Sequence, residues 1–175
     1  MITKKIKFDD KKFKEAILFL LSRSPNQAIE GKKKLAKLLY FADFNYFEAY
    51  EIPLTGATYR ALPMGPVPDE LEEALNKGLK EKTIRITNKN IGLPNDMMVF
   101  SLNINNKDNL TFGNLLEEEK KVLQKVYSDY GGLSGAVLEN ITHSEAPFNA
   151  VAQGEYIPYE LSFYRDKTKE ELVGV

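Results

Sequence analysis

Phe13, Ala16, Ile17 and Leu20 recur at i, i+3, i+4 and i+7, the spacing that lines one face of a helix. Asp9 and Asp10 stand before this pattern and can accept hydrogen bonds from the unpaired N–H groups of a first turn. Ser24-Pro25-Asn26 supplies a stop. The spacing predicts a second helix from about Lys32 to about Tyr50, with Leu35, Leu38, Leu39, Ala42, Tyr46 and Ala49 in one stripe. Its other side is not polar, because Tyr40, Phe41, Phe44 and Phe47 lie on the flank and far side. A helix apolar most of the way round is buried on several sides, so this one reads as the central helix. The extra aromatic surface fits either core packing or an interface with a partner.

Ala57 to Leu62 reads as a short extended segment, and Pro63-Met64-Gly65-Pro66-Val67-Pro68 as a stiff, poorly hydrogen-bonded loop. Pro68 suits the first turn of a following helix with Leu71, Ala74, Leu75 and Leu79 on one face. Acidic residues crowd its start and lysines its end, which matches the helix dipole. Thr83 to Thr87 and Met97 to Leu102 read as paired strands joined by a loop, and 103–109 as a polar surface loop. Asn114 with Glu117 has capping-box spacing before a helix whose inner face carries Leu116, Leu123, Tyr127 and Tyr130. Gly131-Gly132 is expected to end it in the left-handed conformation. Ser134 then caps a short helix with Val137, Leu138 and Ile141 inward, and Ser144 is placed to cap the next. The sum is a predominantly helical α+β fold: one compact domain over 1–166 with a small antiparallel hairpin or sheet, and a charged, frayed tail over 167–175.

Composition narrows the function. The 175 residues carry 24 Lys+Arg against 25 Asp+Glu, one His and no Cys. Absent cysteine excludes disulfides, thiolate metal sites and a cysteine nucleophile, and a single histidine excludes multi-histidine metal sites. No metal and no cofactor is expected. The balanced charge argues against a nucleic-acid binder. No apolar run approaches the roughly 20 residues needed to cross a bilayer, and no secretory signal is evident, so a cytoplasmic location is expected.

Three places concentrate unusual residues. Tyr59 and Arg60 precede the Gly65-Pro66-Val67 loop, which either presents them rigidly to a partner or simply turns the chain. His143 sits among Thr142, Ser144 and Glu145, where a catalytic reading ranks well below a structural one, because no nucleophile elbow accompanies it. Lys32-Lys33-Lys34 with Lys37, and Lys4, Lys5 and Lys7 upstream, could touch phosphate or form a solvated face. The residues alone describe a binding module rather than an enzyme.

Lys34-Leu35-Ala36-Lys37-Leu38-Leu39-Tyr40-Phe41-Ala42-Asp43 resembles the Lys-Leu-x-Lys-Leu-Leu-Tyr-Phe-Ala signature of the Panacea domain, also called SocA-like or GepA-like. The resemblance continues through Leu54-Thr55-Gly56, Tyr59 with Ala61, Gly65-Pro66-Val67, Leu133-Ser134, Leu138, Thr142-His143 and Glu145-Ala146-Pro147. It spans about Phe13 to Ala152. Ala36 stands where the family often has Gln, and Phe148 where it often has Trp. The resemblance implies an antitoxin, of the kind found in prophage and bacterial genomes, that binds and neutralises a toxin encoded beside it. It leaves a protease adaptor or regulatory interaction protein as the alternative, with the tail as a docking peptide, and a His143-dependent enzyme below both. Tyr40, Asp43, Tyr59, Arg60, Gly65, Pro66, Val67, His143 and Glu145 are the expected binding surface or the scaffold behind it.

Overall fold

Asp9 begins the first helix by accepting hydrogen bonds from the Lys11 and Lys12 N–H groups, as its position predicts. In this computed structural model, which describes residues 5–103, 105 and 110–174, helix α1 runs Asp10–Arg23. Lys4 and most of the loop expected at 103–109 lie outside the described residues. After a 3-10 turn comes a three-residue strand, β1 (Ala28–Glu30), which the sequence pattern did not announce. Helix α2 runs Lys32–Tyr50, the expected span.

Helix α2 is the axis of the domain. It touches α1, β1 and a 3-10 segment at Tyr159–Arg165. It also touches β3 (Gly65–Pro68), β5 (Met97–Leu102), α4 (Glu117–Tyr130), α5 (Gly135–Ser144) and α7 (Lys169–Val173). That encirclement explains its composition. Every residue from Leu35 to Phe47 is buried, so the aromatic far side packs the core rather than lining an open face. Phe41 stacks on Tyr130 at 4.1 Å between ring centroids, and Phe44 on Tyr159 at 4.7 Å. Each such pair adds about 0.5–1.5 kcal/mol beyond the area it buries.

Of the proline-rich stretch, Pro63 and Met64 form a turn as expected, but Gly65–Pro68 is a strand, which corrects its reading as a loop. β2 (Tyr59–Leu62) pairs with β3 in the register Tyr59↔Pro68, Arg60↔Val67, Ala61↔Pro66 and Leu62↔Gly65. Asp69 N–H donates to Thr58 O beyond the last pair, so Arg60↔Val67 exchanges hydrogen bonds and the two proline positions do not. Both prolines therefore occupy sites whose N–H would face away from β2, and the ladder loses nothing. Pro68 accordingly closes β3 and does not open the next helix, α3 (Leu71–Lys80). Within α3, Leu71, Leu75 and Gly78 are buried while Leu79 is exposed.

A second sheet has the order β1-β5-β4, all antiparallel, with β4 at Ile84–Lys89. Ile84, Phe100, Leu102 and Ile29 are its buried side chains.

Several local expectations yield to tertiary contacts. Asn114 does not cap α4; its side chain and backbone N–H donate to the buried Glu15 carboxylate. Glu119 instead accepts from the Leu116 N–H, so Leu116 sits outside and Glu119 inside. Gly131 ends α4 with φ −63°, not in the left-handed conformation; glycine is needed because a Cβ would lie 2.6 Å from the Tyr127 ring. Ser134 caps α5 through the Val137 N–H, but Val137 itself is exposed. Ser144 donates to Ile141 O and caps nothing; α6 (Ala146–Asn149) begins after Glu145. The tail is not frayed over its described part. Thr168 caps α7, whose Leu172 and Val173 are buried against α2 and α4. No helix among the described residues is long and apolar enough to cross a membrane.

Candidate functional site

Asp43, on α2, is 1% exposed. Its carboxylate accepts from Thr55 N–H and Thr55 Oγ1–H, both at 2.6 Å, from Tyr59 Oη–H at 2.8 Å and from Gly56 N–H at 3.4 Å. Burial pushes the Asp43 carboxyl up to about 6, against these donors, which pull it down. The cluster fixes the Leu54-Thr55-Gly56 turn. At that turn, Thr55 O accepts from Asp9 N–H, and Gly56 meets Lys7 so closely that a Cβ would stand 2.4 Å from its carbonyl oxygen. Tyr159 joins from below, donating to Ala57 O at 2.6 Å.

One turn earlier on α2, Tyr40 donates to Glu145 at 3.0 Å. Tyr40 is wholly buried, and its hydroxyl is pushed well above the usual value by burial first and by the Glu145 carboxylate second. Glu145 also takes Lys167 at 2.8 Å and Arg165 at 3.5 Å. Arg165 reaches Glu48 at 2.6 Å and Asn45 Oδ1 at 2.9 Å, with its side chain only 1% exposed. Burial opposes its charge, yet Glu145 and Glu48 hold the guanidinium above its usual value. This network clamps the C-terminal segment onto α2.

Lys37 takes the third inward position. It is fully buried, and its Nζ donates to Pro66 O at 2.9 Å. Burial pushes the ammonium down to about 8, with Glu139 opposing and Lys33 adding to the effect. Gly65 lies over it at φ +96°, where a Cβ would sit 2.6 Å from Lys37 Cε and 2.8 Å from Thr142 Oγ1. The other lysines of the run are paired as well: Lys32 with Glu72, Lys33 with Glu139, and Lys34 with Gly131 O. The run is a set of struts between elements, which explains lysines at a helix start that the dipole disfavours.

The nine expected residues therefore divide. Tyr40, Asp43, Tyr59, Gly65, Pro66 and Glu145 are buried and form the frame. Arg60, Val67 and His143 are half-buried. Arg60 is held by Asp69 at 3.0 Å and Gly154 O at 2.8 Å, and its guanidinium lies 4.1 Å from the centre of the Tyr156 ring. His143 stacks on Phe148 at 4.6 Å, and its Nε2 is buried without a hydrogen-bond partner among the described residues. Its neighbours are engaged elsewhere, Thr142 with Glu139 O and Ser144 with Ile141 O, so no nucleophile–base pair forms on it here. Among the described residues no cluster of His, Asp and Glu could hold a metal ion.

Sequence reasoning missed Glu48, Arg165 and Lys167 as members of the Glu145 network, and Tyr159 beside Asp43. No local signal marked Arg165: it follows Phe163 and Tyr164, which are themselves exposed, and precedes two charged residues.

The family model described as antitoxin SocA-like, Panacea domain matches residues 35–148, and the chain belongs to that family. No curated protein and no solved structure matches it. The two unusual positions are accommodated by packing: Ala36 is buried on α2, and Phe148 lies flat against His143. Arg165 and Lys167 lie beyond the matched residues yet complete the Glu145 network.

Proposed function

Starting from a chain of the antitoxin-like Panacea family, we propose that this protein is the antitoxin of a toxin–antitoxin pair and neutralises its toxin by direct protein–protein contact. The family match across residues 35–148 carries the reading. The inward polar groups support it physically: they make a rigid frame, and rigid surfaces bind without a large ordering cost. On this reading Tyr40, Asp43, Tyr59, Gly65, Pro66 and Glu145 hold the frame. Arg60 and Val67 on the hairpin, with His143 on α5, belong to the contact surface. Met64 at the hairpin tip, 57% exposed, and Tyr156 against Arg60, 51% exposed, extend it with the residue types that anchor interfaces.

The test is co-expression with the product of the neighbouring gene. Growth rescue together with copurification of the two proteins is expected, and Tyr156→Ala with Met64→Ala weakens both. A toxic neighbour that is neither rescued nor bound refutes the proposal.

A further inference from the structure

Sheet edges expose rows of unpaired backbone groups, and proteins close them. Among the described residues, three of the four sheet edges are closed. β2 is covered by the 154–157 chain, through Ala61 N–H to Glu155 O, Gly154 N–H to Ala61 O and Ile157 N–H to Tyr59 O. The outer side of β3 carries Pro66 and Pro68, which have no N–H, and the Pro66 carbonyl is taken by Lys37. β1 is three residues long and lies against α1 and α2. Among the described residues β4 has none of these devices over its second half. It is six residues long and contains no proline.

The register shows which groups β4 offers. Asn103 N–H donates to Thr83 O, so Thr83↔Asn103 is a hydrogen-bonded pair, and Arg85↔Ser101, Thr87↔Val99 and Lys89↔Met97 follow in phase. The N–H and C=O groups of Ile86 and Asn88 therefore point away from β5. No described residue takes them. Beside them the solvent face shows exposed Arg85, Thr87 and Lys89, of which Lys89 meets Glu30 at 2.7 Å. The other face shows half-buried Ile86 next to Met98, 40% exposed.

We propose that the free edge of β4 is a strand-accepting site that takes an extended acidic segment of a partner protein. The backbone groups of Ile86 and Asn88 supply the ladder bonds, as in recognition by strand addition. Alternate side chains of the incoming strand lie beside Arg85, Thr87 and Lys89 on one face and beside Ile86 and Asn88 on the other, with Met98 one strand farther in. Acidic residues at every second position and apolar residues between them fit that surface. A second copy of this chain is the poorer occupant, because antiparallel pairing of two β4 strands gathers the Arg85 and Lys89 charges of both copies along one seam. The site stands apart from the hairpin surface proposed for the toxin, and neither proposal depends on the other.

The test pans the immobilised full chain against displayed random dodecapeptides and then measures binding of the enriched peptide in solution. Enriched sequences are expected to alternate acidic and apolar residues, and binding is expected to slow hydrogen exchange at the Ile86 and Asn88 amides. Asn88→Pro removes an outward N–H and no ladder bond, and is expected to weaken binding about tenfold. Arg85→Glu, at an exposed position, is expected to weaken it without touching the backbone, which keeps the test decisive if the proline variant folds poorly. No enrichment, peptides without the alternation, unchanged exchange at the two amides, or a dimer that Asn88→Pro dissolves would each overturn the proposal. Because this assay contains no toxin, its failure leaves the antitoxin reading standing, and failed rescue leaves this site standing.

Discussion

Arg165→Met tests whether the C-terminal clamp is an electrostatic necessity. Methionine keeps most of the side-chain stem and removes the guanidinium. Glu145 would keep Tyr40 at 3.0 Å and Lys167 at 2.8 Å. Glu48 has no such reserve: Arg165 Nε at 2.8 Å and the terminal nitrogen at 2.6 Å are its hydrogen-bonded partners among the described residues, and its side chain is 7% exposed. A carboxylate left buried in this way costs about 3–5 kcal/mol. For a chain of this length that is a drop in Tm of about 6–20 °C, and about a fifth or more of a typical total stability. Urea unfolding should show a lower midpoint at unchanged m, since the unfolded surface is the same. If the orphaned charge is the cause, adding Glu48→Gln to Arg165→Met must restore about 1–3 kcal/mol, although it removes a further polar group. A single variant that loses less than about 0.5 kcal/mol, within the usual range for surface changes, refutes the reasoning. So does a double variant no more stable than the single.

Three further outcomes follow from the same interior. The folded pKa of Lys37, about 8 against 10.5, means that the folded state holds its proton less firmly; stability relative to Lys37→Met should rise by about 3 kcal/mol as pH climbs from 8 to 10.5, and a flat difference in urea midpoints across that range would contradict the burial of the charge. Asp43 works in the opposite sense: its carboxyl is raised from 3.8 to about 6, so stability relative to Asp43→Asn should fall by about 3 kcal/mol between pH 4 and pH 6, and a rise over that window would show that the Thr55 and Tyr59 donors outweigh burial. Gly65→Ala forces a Cβ against Lys37 and Thr142 at φ +96°, and thermal melting should register a loss of about 2–4 kcal/mol; a neutral result would mean that the hairpin can lift from α2.

Much of the helical framework was legible in the chain. α1 and α2 could be placed because their apolar spacing, caps and breaks act within one or two turns, and Asp9 and Ser134 cap where they were expected to. The Panacea signature was legible for the same reason, being a contiguous run on one helix followed by short motifs at fixed distance. What those motif residues do was not. Tyr40 and Asp43 look like presented groups on a helix until Glu145, 105 positions away, and Thr55, 12 positions away, are brought to them. Asn45 meets Arg165 across 120 positions, a pairing that no local pattern encodes.

The proline-rich stretch shows the division most plainly. Sequence determined that Pro66 and Pro68 cannot donate hydrogen bonds, and that Gly65 can adopt a conformation that other residues avoid. Only the register against β2 decided that both missing donors face away from the ladder, so that a segment resembling a loop becomes a strand. Likewise the chain determined how many lysines stand at the start of α2, but the packing of α5 and β3 against that helix, with Glu72 of α3 in reach of Lys32, decided that they are struts rather than a free basic face. Local chemistry limits what each residue can do within a turn or a strand. Which of those possibilities is realised depends on what is packed against it, and that is set by segments far away along the chain.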